Sequence, residues 1–99
     1  MIGDSGIPLV RNLTATTAGV GVLGYRLTPA VSSRILLQNE GLNVIRVYFS
    51  AADYTTDTNY VAVAAGGGMD LPAQVDALWW RSVVGDSAFT FVAILRARL

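Results

Sequence analysis

Six residues near the start of the sequence match the glycine pattern of a dinucleotide-binding turn. Gly19, Gly21 and Gly24 stand in G-x-G-x-x-G spacing, and Glu40 follows roughly twenty residues after the first of them. That chemistry needs a helix to begin inside the motif, because the helix N-terminus faces the pyrophosphate. Pro29 comes too soon after Gly24 for such a helix. The pattern therefore predicts a bend in a strand rather than a cofactor site.

Two groups of acidic residues could bind a cation or perform acid–base catalysis. Asp53, Asp57 and Asn59 offer oxygen ligands to Ca²⁺, but their spacing is not that of an EF-hand loop, and Ala64 stands where the loop needs a glutamate. The second group consists of Asp70, Asp76 and Asp86. Two of them could form the carboxylate pair of a glycosidase, but nothing in the sequence fixes the distances among them. We expect a solvated turn and surface acids, with no metal bound.

The side chains that most enzymes use for catalysis are missing from this chain. The 99 residues include no His and no Cys, and all seven basic residues are Arg. Without His, Cys and Lys there is no Ser-His-Asp triad, cysteine nucleophile, Cys/His zinc site or Schiff base. Seven acidic residues balance the seven Arg, so no net charge attracts nucleic acid or an acidic membrane. We expect no enzymatic activity, no cofactor, and neither of those partners.

Trp79 and Trp80 are adjacent, and neighbouring side chains on a strand point to opposite faces. We therefore expect one ring in the core and the other outside it. The outer ring could fill a pocket of a neighbouring subunit, pack on the far side of a sandwich, or stack on a sugar. Arg81, Arg34 and Arg46 are candidates for pairing at a subunit edge, with a solvated face as the alternative.

Short runs of alternating and β-branched residues recur along the chain, separated by Gly, Pro, Asn, Asp and Ser. They cover residues 7–17, 20–28, 33–38, 44–50, 60–65, 78–80 and 88–99, while residues 53–59 read as a polar loop and residues 66–68 as a glycine connection. Without βαβ units, this pattern predicts an all-β fold, a single-domain antiparallel β-sandwich or small barrel of about six or seven short strands. We expect one domain over residues 1–99.

The central pair of runs predicts a β-hairpin. Ser33 to Gln38 and Val44 to Ser50 flank a loop from Asn39 to Asn43, whose Asn and Gly residues favour a tight reversal. In the second arm and in the final strand, alternation assigns one face to the core. The expected core residues on these two strands are Ile45, Val47, Phe49, Phe89, Phe91 and Leu95.

The first seventeen residues have two interpretations. Gly3 and Gly6 precede an apolar stretch that includes Ile7 and Leu9. This stretch could be an assembly arm that pairs with a neighbouring subunit, or an edge strand of its own domain. Hydrophobic residues make up 53% of the chain and charged residues 14%. A small domain of this composition exposes much apolar surface, so we expect it to form a homo-oligomer.

Three segments in order resemble small β-sandwich virion proteins of tailed bacteriophages, of the capsid decoration or cement type. The segments are Arg34 to Ser50, the turn Gly66 to Pro72, and Leu78-Trp79-Trp80-Arg81, and the resemblance extends from about Arg34 to the C-terminus. It implies a non-enzymatic role on the capsid surface of a virion, with oligomers that bridge subunits of the major capsid protein. The candidate interface residues are Trp79, Trp80, Arg81, Tyr48, Arg34, Arg46, Ile7 and Leu9.

Two alternatives remain at this stage. The chain could be another virion β-domain, such as a connector, tail or fibre component. It could also be a carbohydrate-binding module that stacks a glycan on Trp79 or Trp80 together with Tyr48 or Tyr54. The second alternative needs aromatic side chains that are exposed in the free protein.

Overall fold

The computed structural model describes residues 7–27 and 31–96; residues 1–6, 28–30 and 97–99 lie outside its description. The described chain contains eight strands and one short helix. In order they are β1 (Ile7–Ala15), β2 (Tyr25–Arg26), β3 (Val31–Asn39), β4 (Ile45–Tyr48), α1 (Ala51–Thr56), β5 (Val61–Val63), β6 (Gly68–Leu71), β7 (Ala77–Ser82) and β8 (Ser87–Arg96).

The strands form two antiparallel sheets of four strands each. The first sheet has the order β1-β8-β3-β6 and the second has the order β2-β7-β4-β5. Apart from β4 and β5, each consecutive pair of strands is divided between the two sheets, which is the arrangement of an eight-stranded jelly roll. The predicted all-β sandwich is confirmed.

The core lies between the two sheets, as the alternation predicts. Phe89 and Phe91 on β8 are buried, as are Ile45 and Val47 on β4, while Phe49 and Leu95 are half-buried against them. The rings of Trp80 and Phe89 meet edge to face at 5.1 Å between centroids. Other buried members are Ala15, Leu27, Ile35, Leu37, Val63, Met69, Leu78 and Ala93.

The predicted hairpin between β3 and β4 is wrong. β3 pairs with β6 and β8 in the first sheet, whereas β4 pairs with β5 and β7 in the second. The loop from Asn39 to Asn43 therefore crosses between the sheets. A crossing loop and a hairpin turn use the same residue types, because both reverse the chain with Asn and Gly, so alternation on either side does not distinguish them.

The buried side chain of Asn39 fixes this crossing. Its Nδ2 donates to the carbonyl oxygens of Asn43 (2.7 Å) and Val63 (3.0 Å). Its Oδ1 accepts from the amide of Gly41 (3.1 Å) and from the Ser87 hydroxyl (2.8 Å). One amide group thus joins both sheets and the loop, and all four of its hydrogen-bonding positions are occupied.

Three other predicted elements differ. The polar loop at residues 53–59 begins instead as α1, because the Ser50 hydroxyl accepts from the Asp53 amide (3.1 Å) and caps the helix. Of the predicted strand at residues 20–28, residue 28 lies outside the described residues, and residues 20–27 form a strand at Tyr25–Arg26 alone. Gly68 belongs to β6 rather than to a connection.

The N-terminal segment forms an edge strand over its described part. β1 pairs with β8 along nine consecutive residues, from Ile7 opposite Leu95 to Ala15 opposite Ser87. Ile7–Ala15 is therefore an edge strand of its own sheet in this structure, and the assembly-arm interpretation of residues 1–17 stays a prediction. The predicted arm residues 1–6 lie outside the described residues.

Candidate functional site

The outer face of the second sheet, which points away from the core, is covered by the chain itself. Tyr48 and Trp79 point to this face and form a second buried cluster with Tyr54 and Ala77. The covering parts are α1 and the segment of residues 16–24, which we call the covering segment. Trp79 Nε1 donates to the carbonyl oxygen of Val22 (3.1 Å). The Tyr54 hydroxyl donates to the Ala18 carbonyl oxygen (2.9 Å), which holds helix and segment together.

The glycine motif makes this cover possible. Gly19, Gly21 and Gly24 all have positive φ angles, of 73°, 84° and 69°. A Cβ on Gly24 would lie 2.6 Å from the Trp79 ring, so only glycine allows the backbone to approach the indole. No helix begins among these residues, and the motif does not form a nucleotide-binding turn.

Gly24→Ala is expected to destabilise the domain by about 2–4 kcal/mol. The left-handed backbone costs about 1–3 kcal/mol for a residue with Cβ, and overlap with Trp79 adds a further penalty. Gly21→Ala is the matched control, because its φ is also positive but no atom lies within 4 Å of its Cβ position. Urea unfolding of both variants measures the difference; equal losses would contradict the role assigned to the Trp79 contact.

The two tryptophans take opposite faces, as predicted, but both are buried. Trp80 is 4% exposed between the sheets and Trp79 is 8% exposed under the covering segment. Trp79 therefore lies outside the core between the sheets, as expected, and is packed by the chain itself on the far side of the sandwich rather than exposed. Tyr48 and Tyr54 are buried as well, so the aromatic platform required by the carbohydrate alternative is absent at the four positions named for it.

Arg46 and Arg81 lie on this same outer face and interact within the chain. Arg46 Nη1 pairs with Asp57 Oδ2 at 2.6 Å, and the Tyr48 hydroxyl donates to Asp57 Oδ1. Burial, helped by this hydrogen bond, raises the pKa of Tyr48 to about 12. The Arg81 guanidinium stacks on the Tyr54 ring at 4.3 Å and donates to the Tyr54 carbonyl oxygen (3.0 Å).

The remaining predicted interface residues lie on the first sheet. Arg34 forms two hydrogen bonds of 2.7 Å with the Asp70 carboxylate, on the face away from the core. Leu9 packs half-buried against the core, and Ile7 is the first residue of β1. The eight predicted residues are thus divided between two sheets and do not form one site.

An exposed apolar surface occurs at one end of the sandwich, and it is not among the sites predicted from the sequence. Leu42, Val44, Val83 and Val84 are 90%, 36%, 41% and 78% exposed. They belong to the β3–β4 and β7–β8 loops, and we call them the apolar tip. The signal available in the sequence was large aliphatic residues in turn segments that also contain Gly, Asn and Asp.

Hydrogen bonds hold the two loops of the apolar tip together. The Val83 amide donates to the Val44 carbonyl oxygen (3.0 Å), and Asn43 Nδ2 donates to the Asp86 carbonyl oxygen (3.0 Å). The exposed carboxylates of Glu40 and Asp86 belong to the same loops. The surface is therefore a structured apolar patch with acidic neighbours.

No family model matches this chain, and no curated protein matches it. Among solved structures it is similar to an HTH_3 family transcriptional regulator from Vibrio cholerae, with a TM-score of 0.59 and 11% identity over 96% of this chain and 46% of that one. It is also similar to CoII HppE in complex with Tris buffer, with a TM-score of 0.49 and 9% identity over 91% of this chain and 46% of that one.

This chain spans less than half the length of either structure. At 11% identity, the similarity to the regulator shows a shared fold and nothing of its activity. Within residues 7–27 and 31–96, no group of three or more potential acidic metal ligands comes together. Over the same residues no helix is long and apolar enough to cross a membrane.

Proposed function

We propose that this chain is a non-enzymatic structural assembly protein of the capsid decoration or cement type. In this role it docks on a virion shell and adds contacts between subunits of the major capsid protein. The apolar tip is the observation that carries the proposal. Four aliphatic side chains on hydrogen-bonded loops offer apolar area to a partner at little cost in conformational entropy.

The chemistry of the tip describes the partner surface. Burying a Val or Leu side chain contributes about 1.5–3 kcal/mol relative to its exposed state, so the tip favours an apolar depression. Asp86, which is exposed in the same loop as Val84, favours basic residues around that depression. In addition, a homo-oligomer would present several tips to the repeated subunits of a shell, which strengthens attachment without any new contact.

A connector, tail or fibre component could use the same tip, so that alternative is kept. It differs in the place of attachment, which is the tail or vertex rather than the shell surface. The burial of Trp79, Trp80, Tyr48 and Tyr54 in the free chain gives no support to the carbohydrate alternative.

Co-sedimentation with shells that lack this chain tests the proposal. The variant Leu42→Ser/Val84→Ser removes most of the exposed aliphatic area of the tip. We expect its affinity for shells to fall at least about tenfold, the effect of losing roughly 1.4 kcal/mol of binding free energy.

Leu23→Ser is the matched control, because Leu23 is 70% exposed but lies on the covering segment. It is expected to bind shells like the wild type. Urea unfolding verifies that both variants fold. Equal binding by the tip variant and the wild type contradicts the proposal.

A further inference from the structure

Among the edge strands of the described chain, β1 is the longest. It has nine residues and pairs with β8 on one side. The strands at the other three edges, β2, β6 and β5, have two, four and three residues. A short edge strand offers little to another chain, whereas a long one offers a row of unpaired backbone groups to any strand that approaches. We call the side of β1 that points away from β8 the free edge.

The backbone groups on the free edge follow from the pairing of β8. Successive residues of a strand turn their backbone groups to opposite sides. The Ala88 carbonyl oxygen accepts from the Glu40 amide (2.9 Å) on the β3 side, so the odd-numbered residues of β8 turn toward β1 and pair with odd-numbered residues there. The even-numbered residues of β1 therefore turn toward the free edge. The same direction continues past the strand, where the Thr16 carbonyl oxygen accepts from the Ser82 amide (3.0 Å).

The even-numbered residues of β1 meet water. Pro8, Val10, Asn12 and Thr14 are all exposed. Within residues 7–27 and 31–96, no strand other than β8 pairs with β1, and no further backbone hydrogen bond involves these four residues. The amides of Val10, Asn12 and Thr14 are therefore unpaired donors on the free edge. Pro8 has no N–H, and proline occurs in strands mainly where its nitrogen faces solvent, which agrees with the assignment.

Arg11 occupies a core-facing position on this strand. It lies directly opposite Phe91, whose side chain is fully buried, and its neighbours on the same face, Leu9 and Leu13, pack against the core. Arg11 is nevertheless exposed, and its Nη1 donates to the Val10 carbonyl oxygen (2.8 Å), which belongs to the free edge. Neither ion pair found within the described residues includes Arg11. An inward-pointing charge of this kind disfavours an added strand, because that strand would cover the charge.

We propose that Arg11 and Pro8 protect the free edge of β1 against the addition of another strand. The Arg11 guanidinium occupies the Val10 carbonyl oxygen and holds its charge beside the place where an added strand would lie, and Pro8 withholds a donor. The first sheet then does not grow by pairing β1 with a second copy or with an extended partner segment. The inference does not use the apolar tip and is independent of the proposed function.

Site-resolved hydrogen exchange of the full chain measures the state of this edge, whichever other surface the chain uses to oligomerise. In the wild type, the amides of Val10 and Thr14 are expected to exchange fast, with the same rates at about 20 µM and about 500 µM protein. The amide of Leu13 belongs to the ladder with β8 and is expected to be protected at both concentrations. It reports that the domain is folded.

Arg11→Val removes the guanidinium and introduces a residue that favours strands. At the higher concentration, exchange of the Val10 and Thr14 amides is expected to slow at least about tenfold, because the edge then pairs with a second copy. Arg11→Lys is the matched control, because it keeps a positive charge at the same position, and it is expected to exchange like the wild type. If Arg11→Val loses protection at Leu13, Arg11→Thr takes its place.

A double variant assigns the new protection to the free edge itself. Asn12→Pro removes a donor from the centre of this edge and leaves the hydrogen bonds between β1 and β8 in place, because the Asn12 amide points away from β8. Arg11→Val/Asn12→Pro is therefore expected to lose the concentration-dependent protection of Val10 and Thr14.

Three results overturn the inference. The first is wild-type protection of Val10 and Thr14 that grows with concentration, which would support the assembly-arm interpretation instead. The second is an Arg11→Val variant that exchanges like the wild type at both concentrations. The third is an Arg11→Lys variant that becomes protected like Arg11→Val. Each of these results leaves the proposed function to the co-sedimentation of the tip variant.

Discussion

Asn39→Asp is expected to lower the free energy of unfolding by about 3–5 kcal/mol, although the two side chains are nearly the same size. The carboxylate cannot donate to the carbonyl oxygens of Asn43 and Val63. Each buried acceptor left without a partner costs about 1–3 kcal/mol, and a buried carboxylate adds its own desolvation penalty. The loss should be smaller below about pH 4, because the protonated acid regains one donor.

Asn12→Asp is the matched control for this prediction. Asn12 is exposed on β1, where its Oδ1 lies 3.0 Å from the Thr90 hydroxyl and water can replace that hydrogen bond. Its substitution is expected to cost less than about 0.5 kcal/mol. Urea unfolding at pH 7 compares the two variants, and similar losses for both would show that Asn39 does not fix the crossing between the sheets.

Phe91→Ala is expected to cost about 3–5 kcal/mol, the usual range for a buried Phe that is truncated to Ala. Phe91 is fully buried at the centre of β8, which pairs with β1 on one side and β3 on the other. Its ring also meets Tyr25 edge to face at 6.1 Å between centroids. The cavity therefore opens where both sheets meet and where little can move to fill it.

Val92→Ala controls for the loss of a side chain on the same strand. Val92 is half-buried on the outer face of the first sheet, and its truncation is expected to cost about 1 kcal/mol or less in the monomer. Thermal unfolding at low protein concentration measures both. A loss for Phe91→Ala below about 1 kcal/mol would place the core on the other face of β8.

Alternation alone predicts which face of a strand is buried, where the alternation is strongest. Phe89 and Phe91 alternate with polar or smaller residues, and so do Ile45 and Val47, because each strand has one face toward the other sheet. The same logic predicts opposite faces for Trp79 and Trp80. These features depend on neighbours in sequence, so the sequence is sufficient to find them.

Features that depend on distant contacts are not visible in this way. The loop from Asn39 to Asn43 has the composition of a hairpin turn, and long-range features such as the β3–β8 pairing and the Asn39 bond to Val63 distinguish a crossing. The burial of Trp79 depends on the covering segment, which is 57 residues away in sequence where Val22 accepts its hydrogen bond. The contact with the Trp79 ring requires glycine at position 24, but the sequence alone does not show that Trp79 is the partner.

The apolar tip illustrates the same limit for the candidate site. Leu42 and Val84 stand in separate loops, and each alone is an ordinary exposed aliphatic residue. They form a single surface because the jelly roll brings the β3–β4 and β7–β8 loops to the same end, where the Val83 amide bonds to Val44. The topology that joins them follows from strand pairing and not from local pattern.

Quantitative mass spectrometry of purified virions that carry the gene for this chain tests the proposed structural role most directly. A decoration or cement protein is a stoichiometric part of the particle, so we expect this chain in a fixed copy number relative to the major capsid protein. The wild-type chain should stay with shells separated from tails, and the variant Leu42→Ser/Val84→Ser should be depleted from them. Absence of the wild-type chain from purified particles would contradict the proposed structural role.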